Sequence, residues 1–146
     1  MAINCPELVR FVHGETDPAA FPHREHVRMA FEMLRRHDFA ESVWLFSRAL
    51  RAITAKAGKP QAFHQTITIA FLALVAERMG SAETCDFGAF ERDNPDVFDK
   101  AALARWYSRE RLATELTRRI FVLPEPPGAT IAVPATLPAA PAPEPR

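Results

Sequence analysis

The sequence predicts an all-α fold: one compact helical bundle of three long helices and two or three short ones, followed by an extended Pro/Ala-rich tail. Three observations lead there. Apolar residues recur at the helical period along most of the chain, with no alternating strand pattern and no internal repeat. Proline and glycine stand where such helices would start and stop. Composition then changes abruptly at Pro124; from that residue onward lie eight of the thirteen prolines and no aromatic residue.

The elements follow in order. Helix A is expected from about Pro22, since proline suits the first helical turn, to about Arg36. Helix B should cover roughly Phe39 to Ala57, with Val43, Trp44, Phe46, Leu50 and Ile53 inward. Gly58 then terminates it and Lys59-Pro60 forces a break. Helix C is expected from about Ala62 to Met79, stopping at Gly80. It is apolar nearly all round, so it should be the most buried helix. After a turn at GSAETCD, a short helix near Phe87–Arg92 ends before Asn94-Pro95. Two more are expected at Lys100–Trp106 behind Asp99 and at Arg109–Arg119 behind Ser108, both suitable N-caps. IFVLP leaves the domain extended. We therefore divide the chain into a helical domain, residues 1–123, and a tail, residues 124–146, too poor in bulky apolar side chains to offset the entropy of ordering it.

Composition narrows the functions. With 146 residues, 48% of them apolar and 25% charged, the chain can bury a core without disulfides. Its formal net charge is zero, so no global field draws nucleic acid or an acidic membrane. Cys5 and Cys85 stand far apart, as reduced thiols would in a cytoplasm. The N-terminal segment lacks the apolar stretch of a signal peptide. The longest apolar run, Ile67 to Ala76, is too short to cross a bilayer. A cytoplasmic protein with no nucleic-acid or membrane partner is expected.

The candidate site comes from the histidines in FPHREHVRMAF. On a helical wheel with His23 at zero, Leu34, Val27 and Ala30 fall within about 40°, and His26 lies about 60° away on the same face. Arg24, Arg28, Glu32 and Arg35 occupy the flank and back, spaced for ion pairs one turn apart. In helix C, His64 shares a face with Ile67, Phe71 and Val75, and Thr68 lies one turn along. His23, His26 and His64 should thus all point inward, and a buried imidazole is costly unless its nitrogens find partners.

Three readings stay open. The imidazoles could satisfy one another, backbone carbonyls and the hydroxyls of Thr66 and Thr68. They could bind a divalent metal, zinc or iron, because paired histidines one turn apart plus a third from a neighbouring helix match a catalytic three-ligand set. Or they could form a metal-free polar pocket with a histidine as acid or base. For a fourth ligand, Glu25 and Glu32 face away, Glu77 lies about 140° round helix C from His64, and His37 stands about 21 Å further along helix A. His13, on a loop before helix A, could fold over the site. Near the C-terminus Tyr107, the only tyrosine, could orient a ligand or water through its hydroxyl. The arginines around it alternate with Glu110 and Glu115 as on a solvated face.

The pattern formed by Phe21, His23, His26, Arg28 and Ala30, then Phe63, His64, Thr66 and Thr68, with ARWYSRERLATELTRRIFVLP near the end, resembles a group of small bacterial helical proteins with no established activity. The resemblance covers about residues 21–124 and puts weight on His23, His26, His64, Thr66 and Thr68 as a set. The expected function is a small metal-dependent or acid–base enzyme acting on a small molecule. Its metal ligands would be His23, His26 and His64, with Thr68 and Tyr107 assisting catalysis. The alternative is a non-enzymatic ligand-binding or interaction module whose histidines are structural.

Overall fold

The computed structural model describes residues 5–80 and 86–126. Among them every regular element is helical and none is a strand, as the periodicity requires. Cys85, most of the GSAETCD turn and the tail beyond Pro126 lie outside the described residues. No helix among the described residues is long and apolar enough to cross a membrane.

The first helix, α1 (Pro6–Val12), was not legible as a period because it makes only two turns. Pro6 starts it, and Leu8 and Phe11 are its buried residues. Phe11 is completely buried, its ring 5.3 Å from Phe21 and 4.9 Å from Phe46. Helix α2 (His23–Leu34) begins one residue after Pro22, which serves as its extended N-cap. Its buried face holds Val27, Met29, Ala30, Phe31 and Met33.

Helix α3 (Phe39–Lys56) is capped by Asp38, whose carboxylate accepts from the Glu41 amide at 2.8 Å. One inward expectation fails here. Trp44 is 57% exposed, with the Arg48 guanidinium stacked 4.5 Å from its ring centre. It lies about 160° round the helix from Phe46, so periodicity outranks hydrophobicity at this position.

Helix α4 (Gln65–Met79) starts three residues later than expected because Pro60–Ala62 form a separate 3₁₀ turn. It packs against α2, α3 and the last helix, which makes it the central element. Helix α5 (Phe87–Asp93) follows, capped by Asp86. Its Phe87 and Phe90 rings meet Phe31 of α2 and Phe98.

Two expected short helices differ. The Lys100–Trp106 segment is a 3₁₀ turn over Ala102–Arg105, although Asp99 does accept from the Ala101 amide at 2.9 Å. The Arg109–Arg119 segment divides into α6 (Arg109–Leu112) and α7 (Glu115–Arg119). Ser108 caps the first as expected, and Thr114 caps the second by accepting from the Thr117 amide. A threonine whose hydroxyl binds nearby backbone competes with continuous helix, and here that competition breaks it.

Beyond α7 the chain returns along the bundle as an extended segment, a returning strand that pairs in no sheet among the described residues, and is strapped to it. The Thr66 hydroxyl donates to the Ile120 carbonyl at 2.7 Å and accepts from the Val122 amide at 3.1 Å. Arg111 donates to the Leu123 carbonyl, the Glu125 amide donates to the Trp106 carbonyl, and Ser108 donates to the Glu125 carboxylate. The Pro-rich segment is therefore anchored through its first residues.

Candidate functional site

The residue types that drew attention in the sequence separate into two places. His23 and His26, in the first turn of α2, line one cavity together with Thr68 and Phe71 of α4 and Phe46 and Leu50 of α3. Val27, Ala30, Ile67, Leu72 and Val75 complete a wall whose only polar side chains among the described residues are the two imidazoles and the threonine. The cavity measures about 90 Å³. Proline at the N-cap places both histidines one turn apart on the apolar stripe of α2, as the wheel requires.

The two rings differ in their surroundings. His23 stands with Nε2 3.2 Å from the Val97 carbonyl, which assigns the proton to Nε2. Its ring meets Phe71 edge-on at 5.1 Å. Nδ1 then has no hydrogen-bond partner among the described residues. His26 is stacked on Phe21, with ring centres 4.2 Å apart. Burial, reinforced by the adjacent His23, lowers its pKa to about 4, against a smaller opposing effect of the Phe21 carbonyl. His26 is a neutral imidazole at physiological pH.

The centres of the two rings are 6.4 Å apart. Two imidazoles on one tetrahedral ion at a metal–nitrogen distance of about 2.0 Å would stand roughly 5 Å apart, so these rings would have to swing together to share one.

His64 is placed elsewhere and is fully occupied. It is the N-cap of α4, its Nδ1 accepting from the Ile67 amide at 3.1 Å. The proton therefore sits on Nε2, which donates to the Leu112 carbonyl at 2.8 Å. Both nitrogens bind backbone, and His64 is not part of the wall around His23 and His26. The three-histidine metal set expected from the sequence is not assembled. Nor is any other group of three or more His, Cys, Asp or Glu side chains placed to hold a metal among the described residues. The wheel, which put His64 on the face of Ile67, Phe71 and Val75, does not apply to it, because His64 lies outside α4 as its extended N-cap. Those three residues line the cavity without it.

The other candidates divide in the same way. Thr68 reaches the cavity, and its hydroxyl donates to the His64 carbonyl at 2.7 Å, leaving lone pairs to accept. Thr66 and Tyr107 serve the returning strand: the Tyr107 hydroxyl donates to the Val122 carbonyl at 2.7 Å, and burial pushes its pKa up. His13 donates from Nδ1 to the Val9 carbonyl at 2.8 Å, at the end of α1. His37 pairs with Glu41, and Glu25 pairs with Arg28 at 3.0 Å. Glu77 lines a different groove, described below.

One contributor had no signal in the sequence: the Val97 carbonyl belongs to a 3₁₀ turn over 70 residues away from His23 in the chain. Phe21 stood in the sequence pattern, but only the structure shows its ring stacked on His26 and on Phe11 of α1. Set against family models, curated proteins and solved structures, the chain matches none of them.

Proposed function

We propose that the cavity between α2, α3 and α4 binds a small, mainly apolar molecule carrying one hydrogen-bond donor, with His26 and His23 as its polar contacts. The observation that carries this reading is the pair of imidazoles in an otherwise apolar wall. Such a lining, apolar with a few convergent polar groups, is the common character of small-molecule pockets. A dry cavity of about 150 Å³ holds a benzene-sized molecule, so the enclosed part here takes less than one ring and the rest of the ligand stands in the mouth.

The same geometry argues for recognition ahead of turnover. General-base catalysis works best when the base has a pKa near the working pH. An imidazole held near 4 is a weak base at neutral pH but remains a competent hydrogen-bond acceptor. Nδ1 of His23 is a second acceptor, and the Thr68 oxygen a third.

Calorimetric titration with phenol and toluene tests this, since the two have the same shape and differ in one hydroxyl. Phenol should bind about fivefold tighter, the worth of one net hydrogen bond. In His26→Phe that preference should shrink, and in the His23→Phe, His26→Phe double variant shrink further, while toluene binding persists. Equal affinity for both in the native chain, or no binding of either, would sink the reading. Elemental analysis of untagged protein decides against the metal-dependent alternative: stoichiometric zinc or iron that disappears in the His23→Ala, His26→Ala double variant would replace a binding pocket with a metal site.

A further inference from the structure

Helix α4 is apolar on both sides because it lines a cavity on both sides. The face opposite the histidine pocket, with Ala70, Ala73 and Glu77, forms the floor of a second groove of about 170 Å³. Its walls are the rings of Trp106, Tyr107 and Phe121. Alanines on the floor leave room that larger side chains would fill. The Tyr107 ring is held in place by its bond to the Val122 carbonyl, and the same strand carries Phe121.

Two groups here lack partners. The Trp106 indole has no hydrogen bond and no ring contact among the described residues, although the side chain is half-buried. The Glu77 carboxylate is exposed and likewise has neither hydrogen bond nor ion pair among them. The cation next to it in sequence, Arg78, is bonded to Asp96 at 2.9 and 2.8 Å, and Glu77 acts on it only through space, helping to raise its pKa. Among the described residues no lysine or arginine lines the groove.

Three aromatic side chains and one carboxylate with no direct ion pair among the described residues, around a headgroup-sized space, suit a cation with an apolar shell. The negative ring faces attract its charge, the rings and alanines cover its methyl groups, and Glu77 supplies the counter-charge. Among the described residues a metal ion would find one carboxylate and no further ligand. We propose that this groove binds a small organic ammonium ion, quaternary or alkylated, as a soluble ligand. The site is independent of the histidine pocket, with which it shares only the opposite faces of α4.

The test uses the full chain and choline, with 3,3-dimethyl-1-butanol as the neutral carbon isostere, at matched ionic strength. The indole N–H signal of Trp106, assigned with Trp106→Phe, is followed by NMR, and that of the distant Trp44 serves as an internal control. Choline should shift the Trp106 signal saturably with a Kd on the order of millimolar and leave Trp44 unmoved. The isostere should bind about fivefold more weakly, and Glu77→Gln should weaken choline by a similar factor with no change in Tm. Equal binding of the isostere would overturn the proposal in favour of a merely apolar groove. So would the absence of any choline-dependent shift. Sedimentation with phosphatidylcholine vesicles, without a response to free choline, would overturn the soluble ligand and point to a lipid headgroup.

Discussion

His64 and His26 are both inward-facing histidines, yet they respond to opposite demands. His64 joins two backbone segments, capping α4 through Nδ1 and holding the Leu112 carbonyl through Nε2. His64→Ala should therefore destabilise the fold by about 2–3 kcal/mol, combining a lost cap with an unsatisfied buried carbonyl. His64→Asn should restore only the capping part, and urea denaturation separates the two. His26 reaches only the neighbouring Phe21 and is instead kept neutral by burial. Its pKa of about 4 lies below the ordinary value of 6.5, so between those limits the unfolded chain binds more protons than the folded one. Its contribution is thus fully present above pH 6.5 and is lost as pH falls towards 4. The loss amounts to at most about 3 kcal/mol, at roughly 1.4 kcal/mol for each pH unit. His26→Gln should flatten that part of the stability–pH curve, and an unchanged slope in the variant would show that other groups cause it.

Among the elements, turns and the returning strand carry the most testable claims. Gly14 and Gly58 both have positive φ, 71° and 73°, after α1 and α3 respectively. A Cβ at Gly58 would meet nothing within 4 Å, whereas one at Gly14 would stand 3.1 Å from the Ala52 Cβ. Gly58→Ala should cost about 1 kcal/mol from backbone conformation alone. Gly14→Ala should cost more, because α1 must also shift on α3, and thermal melts of the two variants compare them directly. For the strand, Thr66→Val keeps shape but leaves the Ile120 carbonyl and the Val122 amide unpaired. A loss of about 1–3 kcal/mol is expected. Hydrogen exchange at Val122 should accelerate more than exchange within α2, and uniform acceleration would show that the strand does not open locally.

At the scale of the whole molecule, aromatic packing and the strap close the bundle. Phe11, Phe21 and Phe46 form one ring cluster at the α1 end, and Phe31, Phe87, Phe90 and Phe98 another beneath α5. Arg24 on α2 holds Glu91 on α5 at 2.7 Å while lying over the Phe87 ring. The strap completes the second groove through Phe121 and covers α4 through Thr66. A chain ending at Pro126 retains every strap bond named above, and one ending at Arg119 retains none of them. The second should melt well below the first. Equal melting temperatures would mean that the strap follows the fold without supporting it.

The sequence by itself determined the helical class, the three long helices, the glycine stops of α3 and α4, and the inward direction of His23, His26 and His64. Those properties are local: they depend on period, on proline and glycine, and on side chains that bind backbone within one turn. Which inward faces meet is not local. Only the tertiary structure decided that His64 binds the Leu112 carbonyl and not a shared ion, and that Tyr107 and Thr66 hold a strand. It also decided that Glu77 faces aromatic rings, and that α4 needs two apolar faces because each lines its own cavity. A wheel places a side chain on its helix. The packing of that helix against its neighbours decides what the side chain can do.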